Sequence, residues 1–148
     1  MQASSYRIED IVPHRPPMLL VDRVVDFDEA EGSAVVEARA RPEWTGSHSA
    51  IEYMAQAAAV LVGLSDRLRG ESAARPGFLL GTRRLNLFAP SLVAGKMYLV
   101  SAKVAFSDGE AACFECEMRD GAEKVAAAAL NAYRPMDPAA FLKEMIRR

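Results

Sequence analysis

The chain has 148 residues and a mass of 16.1 kDa, room for one compact domain and little more. Apolar residues make up 51% and charged residues 26%, a globular mixture that excludes wholesale disorder. Eighteen lysines and arginines face twenty acidic residues, a net charge of -2, which argues against a dedicated nucleic-acid binder.

The chain opens without the apolar core of a secretory signal, and its longest weakly polar run, Met54 to Leu64, is too short to cross a bilayer. The expected compartment is the cytoplasm. Residues Tyr6 to Pro17 read as a short helical turn followed by a proline-rich stop. Met18 to Phe27 is rich in branched residues and predicts a long strand. A turn at Asp28 to Gly32 leads into Ser33 to Arg41, where Ala34, Val36, Ala38 and Ala40 alternate with more polar positions. That is a half-buried strand, and the two strands predict a hairpin.

From Ser47 to Arg69 there is no proline and helix formers are dense, so the spacing predicts the one long helix. Alanine fills five of the ten positions from Ala50 to Ala59. Side chains this small let other backbone approach closely, so neighbouring elements are expected to enclose the helix. After a linker, Gly70 to Pro76, four more strands are predicted: Gly77 to Phe88, Lys96 to Phe106, Ala111 to Met118 and Glu123 to Tyr133. Turn signals stand at Asp108-Gly109 and Asp120-Gly121. Asp137 and Pro138 predict the cap and first turn of a short terminal helix. With no internal repeat or dividing linker, residues 1–148 are expected to form a single α+β domain, an antiparallel sheet of about six strands packed on one helix. One helix cannot cover such a sheet entirely, so the remainder must face water or a second subunit.

Cys113 and Cys116 are spaced as C-x-x-C, but in a strand residues three apart point to opposite faces. They are therefore expected to be reduced and structural, and no second pair exists to complete a zinc site.

Polar side chains are scarce in the long helix, and His48, Glu52 and Gln56 stand at i, i+4 and i+8. An imidazole, a carboxyl and the free amides of a helix start are the ingredients for proton abstraction beside a carbonyl. The same residues have a structural reading. Ser49-Ala-Ile-Glu52 fits a capping box, in which Glu52 only satisfies an amide. Periodicity leaves the two readings of Glu52 even. Gln56 is expected to be a buried, hydrogen-bonded orienter at the substrate site.

Tyr6 to Val24, with Pro13-His-Arg-Pro-Pro-Met-Leu-Leu20 at its centre, resembles the opening of the 3-hydroxyacyl-[acyl-carrier-protein] dehydratases of fatty-acid synthesis. Ile51-Glu-Tyr-Met-Ala-Gln56 resembles the start of their central helix, and Phe88 to Gly95 resembles their proline-containing segment. Over nearly its full length the chain is similar to the short dehydratase-like proteins of aryl-polyene clusters, most clearly at Gly77 to Arg83 and Ala129 to Pro135. The resemblance implies a hotdog fold and a dimer whose sheets join edge to edge, with active sites at the interface. It implies a histidine base from one subunit, a helix carboxyl acid from the other, and no metal or organic cofactor. Glu52 matches the carboxyl and His14 matches a structural histidine. The family's Gly-His-Phe-Pro motif is missing, and most of its loop is absent, with only Arg41 to Ser47 in its place. His48, four residues before Glu52, is either a relocated base or a side chain that merely occupies the site.

Three functions follow as expectations: dehydration of a 3-hydroxyacyl thioester to a trans-2-enoyl thioester, hydrolysis of an acyl thioester, or service as a silent subunit of a heteromeric dehydratase. The implied partners are an acyl carrier protein or a coenzyme A thioester, with Arg83 and Arg84 as candidate docking residues. Phe78, Leu80 and Leu87 are candidates for an acyl tunnel and, equally, for the core.

Overall fold

The computed structural model describes residues 6–70, 78–108, 110–134 and 138–147. Strict alternation at positions 33 to 39 becomes strand β2 (Ser33–Arg39), whose Ala34, Val36 and Ala38 are buried. It pairs with β1 (Arg23–Asp28) as the predicted hairpin. Between the proline-rich stop and β1 the prediction of one long strand fails: Met18 to Val21 lie outside the sheet. The cause is Gln56, whose amide takes the hydrogen bonds of Leu20 N–H and the Met18 carbonyl that a neighbouring strand would otherwise supply. A single turn, α1 (Ile8–Ile11), precedes this strap and buries both its isoleucines.

The predicted helix begins with a 3-10 turn (Ser47–Ser49) and continues as α2 (Ala50–Leu68). Then follow β3 (Phe78–Leu87), β4 (Met97–Ser107), β5 (Ala111–Asp120), β6 (Glu123–Tyr133) and α3 (Pro138–Arg147). Gly77, Gly109 and Asp137, which the sequence pattern places at a strand start, a turn and a helix cap, lie outside the described residues. All strand pairs are antiparallel, in the order β1-β2-β4-β5-β6-β3. The chain leaves β2 on one side of the sheet and resumes at β3 on the opposite edge. α2 makes that crossing over the inner face, which buries most of its middle turns and leaves only the stripe of Ala55, Ala59 and Val62 half-buried. This is the hotdog arrangement that the motifs imply.

Small side chains set the helix deep against its surroundings. Sheet alanines Ala38, Ala102, Ala126 and Ala128 meet helix positions Met54, Ala57, Leu61 and Leu64 in one core. On the other flank of α2, a Cβ added at Gly63 would stand 2.4 Å from the Ile11 carbonyl oxygen, so α1 rests directly on the helix backbone. The C-terminal end of α2 is fixed by Asp66, which is 3% exposed and accepts from Arg134 through both guanidinium nitrogens and from Arg69 Nη2 at 2.9 Å. Burial alone would raise the Asp66 carboxyl, but the hydrogen bonds and charge of Arg134 and Arg69 outweigh it and hold it below the usual carboxylate range.

The outer face of the sheet is charged, yet Ala127 and Ala129 there are buried. Register explains it. Ala129 sits between Arg84 and Glu115, and these two join over it in a 2.7 Å ion pair. Long side chains thus roof a strand of alanines with their methylenes while keeping their charges in water.

Candidate active site

The helix start and the strap meet at one amide. Gln56 has no exposed surface. Its Oε1 accepts from Leu20 N–H at 2.7 Å, and its Nε2 donates to the Met18 carbonyl at 2.6 Å and to Glu52 Oε1 at 2.9 Å. The i, i+4 spacing therefore produces a direct bond between Gln56 and Glu52, and the buried amide anchors the strap as well. Every hydrogen bond that Gln56 can donate from Nε2 is in place, so it holds Glu52 by one carboxyl oxygen.

Glu52 is half-buried. The capping box does not form: Ser49 is already helical, at φ -64 and ψ -21, and makes no side-chain cap. The 3-10 turn displaces the cap geometry, and the turn also occupies the first amides. Ser49 N–H donates to the Gly46 carbonyl at 2.8 Å, and Ala50 N–H donates back to the carbonyls of Ser47 and His48. Those two amides are engaged within the turn.

His48 lies in that turn and is exposed. Its ring folds back over Gly46, where an added Cβ would meet Cε1 at 2.8 Å and Nδ1 at 3.2 Å. The loop beneath it is pinned to the segment before β4 by Leu92 N–H, which donates to the Thr45 carbonyl at 2.8 Å. His14 stands in the proline-rich segment before the strap, with its Nδ1 buried and without a hydrogen-bond partner among the described residues.

The remaining sequence candidates fall elsewhere. Phe78 and Leu80 belong to edge strand β3, with their side chains outside the described ones; Leu80 and Arg83 stand where the β3–β6 register slips. Arg83 is exposed and Arg84 is engaged with Glu115, both on the last strand of the sheet. Leu87 is 40% exposed. Cys116 points at the helix, with Sγ 3.9 Å from the Met54 carbonyl, and Cys113 points the other way; both are free and buried. Burial, with Glu115 and Cys113 adding, pushes the Cys116 thiol up to about 12, so it is an inert core group at neutral pH. Among the described residues no three His, Cys, Asp or Glu side chains lie together to hold a metal. No described helix is long and apolar enough to cross a membrane.

Sequence reasoning misses the girder under the site. Tyr53 is fully buried, donates to the Trp44 carbonyl at 2.9 Å and accepts from Arg41 N–H at 3.1 Å. Arg41 in turn forks onto both oxygens of Asp22, at 2.8 and 2.9 Å, and the hydrogen bonds it donates to Asp22 hold its guanidinium in the charged form against partial burial. Burial raises the Tyr53 phenol, so it stays protonated and donating. Only the lone tryptophan in the chain hints at this corner.

Residues 6–143 match the family model described as ApeP-like, ApeP dehydratase. The chain belongs to the ApeP-like dehydratase family. The resemblance to the dehydratases thus extends over almost the whole length. Among solved structures, the dehydratase heterocomplex ApeI:P from Xenorhabdus doucetiae superposes with a TM-score of 0.82 at 22% identity, covering 95% of this chain and 97% of that one. An HP0420 homologue from Helicobacter felis gives 0.64 at 13% identity, covering 86% and 88% of the two chains. The E. coli PaaI protein from the phenylacetic acid degradation operon gives 0.57 at 16%, covering 75% and 81%. At these identities the superpositions establish the shared fold of the ApeP-like chain. No curated protein matches it.

Proposed function

We propose that this dehydratase removes water from a 3-hydroxyacyl thioester carried by an acyl carrier protein, of the fatty-acid or aryl-polyene type. Glu52 is the acid and His48 the base. One observation carries the assignment of Glu52: among the described residues its carboxyl has no capping duty and is held by Gln56 through Oε1 alone. Oε2 is then the oxygen that holds the proton. His48 takes the proton from C2, the C2–H electron pair becomes the C2=C3 bond, and the C3–O bond breaks as Glu52 Oε2 protonates the departing hydroxyl. Gln56 and the strap fix the carboxyl so that no side-chain freedom is lost during the step.

Among the described residues, the edge strand β3 ends the sheet with one side unpaired, a surface suited to joining the sheet of a second hotdog subunit. The Xenorhabdus dehydratase is a heterocomplex, which supports such a partner here. The exposure of His48 favours a second reading, in which that partner supplies the base and this chain supplies Glu52. Arg83 and Arg84 lie on the same edge strand and suit an acidic carrier.

The experiment is turnover of a 3-hydroxyacyl thioester by Glu52→Gln and His48→Ala, each checked for fold by circular dichroism. Loss in both supports the assignment within one chain. Loss in Glu52→Gln alone, with activity appearing only when a second hotdog protein is added, selects the shared site. Full activity of Glu52→Gln overturns the proposal. Reversing Arg83 and Arg84 to glutamate tests docking: reaction of a carrier-bound substrate should fall while that of a small thioester persists.

A further inference from the structure

The acid and the base stand beside the two segments least supported by regular structure. Met18 to Val21 take no place in the sheet, and residues 41–45 pass from β2 toward the His48 turn without forming helix or strand. Each segment is held by a few hydrogen bonds, and one guanidinium serves both.

That group belongs to Arg41. Its Nη2 and Nη1 fork onto Asp22, the residue after the strap, at 2.8 and 2.9 Å, and Nη2 reaches the Leu19 carbonyl at 3.4 Å. Nη1 also donates to the Arg39 carbonyl, and Asp22 Oδ2 accepts from Arg39 N–H at 2.7 Å, which ties the end of β2 to the strap. From Leu19 the path to the acid is short: Leu20 N–H and the Met18 carbonyl are both bonded to Gln56, and Gln56 holds Glu52. The backbone of Arg41 belongs to the other arm. Its N–H donates to the Tyr53 hydroxyl at 3.1 Å, its carbonyl accepts from Trp44 N–H at 2.9 Å, and Tyr53 closes the turn by donating to the Trp44 carbonyl. Thr45 and Gly46 then run beside Leu92 and Ser91 toward His48.

An exposed ion pair is a weak tie, but this one is bidentate and the Arg41 side chain is only 27% exposed. A planar fork fixes direction as well as distance, so a shift of the strap is felt in the loop through a single side chain.

We propose that Arg41 is a positioning residue for the dehydration described above, on which this role rests: it couples the strap behind Glu52 to the loop before His48, so that acid and base keep one mutual geometry. It acts through Gln56 on one side and through the Trp44 turn on the other.

Arg41→Lys keeps the charge but cannot fork onto Asp22 while reaching Leu19. In the folded variant, kcat for a 3-hydroxyacyl thioester should fall at least tenfold with KM within twofold of wild type, the signature of a group that aligns rather than binds. The coupling itself is read without turnover. Gln56 is one of two glutamines, so its side-chain amide signals are readily assigned in a magnetic resonance spectrum. Tyr53→Phe, which frees the loop, should shift them in the wild-type background and by less than half as much in the Arg41→Lys background. Any effect passed along the helix is common to both backgrounds. A kcat within twofold of wild type in Arg41→Lys, or equal Gln56 shifts in the two backgrounds, overturns the role. Should Arg41→Lys not fold, Asp22→Asn, which breaks the charged fork and keeps an acceptor for Arg39 N–H, is held to the same two results. Coupled Gln56 shifts in a wild type that dehydrates no thioester would sink the reaction and leave the link between strap and loop standing.

Discussion

Gly46→Ala separates the position of an imidazole from the stability of the fold. Gly46 sits at φ -58 and ψ 149, a conformation that alanine adopts freely. Fewer unfolded conformations should make the variant about 0.4–1 kcal/mol more stable, or a melting temperature higher by roughly 1–4 °C. Among the described residues, the three atoms nearest the new Cβ all belong to His48, with Cε1 at 2.8 Å against an ordinary carbon contact of about 3.5–4.0 Å. An exposed ring yields by rotating, so the backbone stays and the imidazole moves by about 1 Å. A displacement of that size costs on the order of 10²-fold where the group is catalytic. Enoyl formation from a 3-hydroxyacyl thioester, followed in the ultraviolet, should therefore fall in Gly46→Ala while its melting temperature rises slightly. On a His48→Ala background the same glycine change should do nothing further. Undiminished turnover in Gly46→Ala, in a protein where His48→Ala is inactive, would refute the link between the folded-back ring and the chemistry.

Gly63→Ala should behave in the opposite way: its Cβ strikes the Ile11 backbone at 2.4 Å, so about 1–3 kcal/mol is lost despite the gain in helix propensity, visible as a lower denaturation midpoint. Tyr53→Phe removes the hydroxyl that ties Trp44 to Arg41 and should cost about 1–2 kcal/mol in urea unfolding, with no change in the cooperativity of the transition. Asp66 has a folded pKa below its unfolded value of about 3.9, so its ion pairs contribute fully above that pH and are lost as pH falls through the folded value. Thermal melts of the wild type should drop more steeply below about pH 4 than those of Asp66→Asn, which is itself weaker by about 3 kcal/mol at pH 7.

Much of the architecture was readable because hydrophobic period and burial coincide. Ala34, Val36 and Ala38 alternate and face the helix; the proline-free, alanine-rich run from position 50 became the helix that crosses the sheet. The strap was misread as a strand because Met18 to Val21 have strand composition, and composition does not reveal that one distant glutamine takes over their hydrogen bonds. The i, i+4 spacing of Glu52 and Gln56 was legible and became a bond. The rival capping box was equally legible and does not exist, because a 3-10 turn precedes the helix and no local motif announces it. The joint of Tyr53, Trp44, Arg41 and Asp22 was invisible, since its members gain meaning only when the chain brings positions 22, 41 and 53 together.

The sheet order has a consequence for how the chain reaches its native state. β2 must wait for β4, and β3 for β6, while the intervening helix has no finished surface to lie on. Pairings this distant along the polypeptide are slow to form, on the order of milliseconds to seconds. On a ribosome, the first hairpin and the helix would emerge with their apolar sides bare, and the domain could close only once Tyr133 had been made. A nascent chain stalled before that point is the form of this protein most exposed to aggregation.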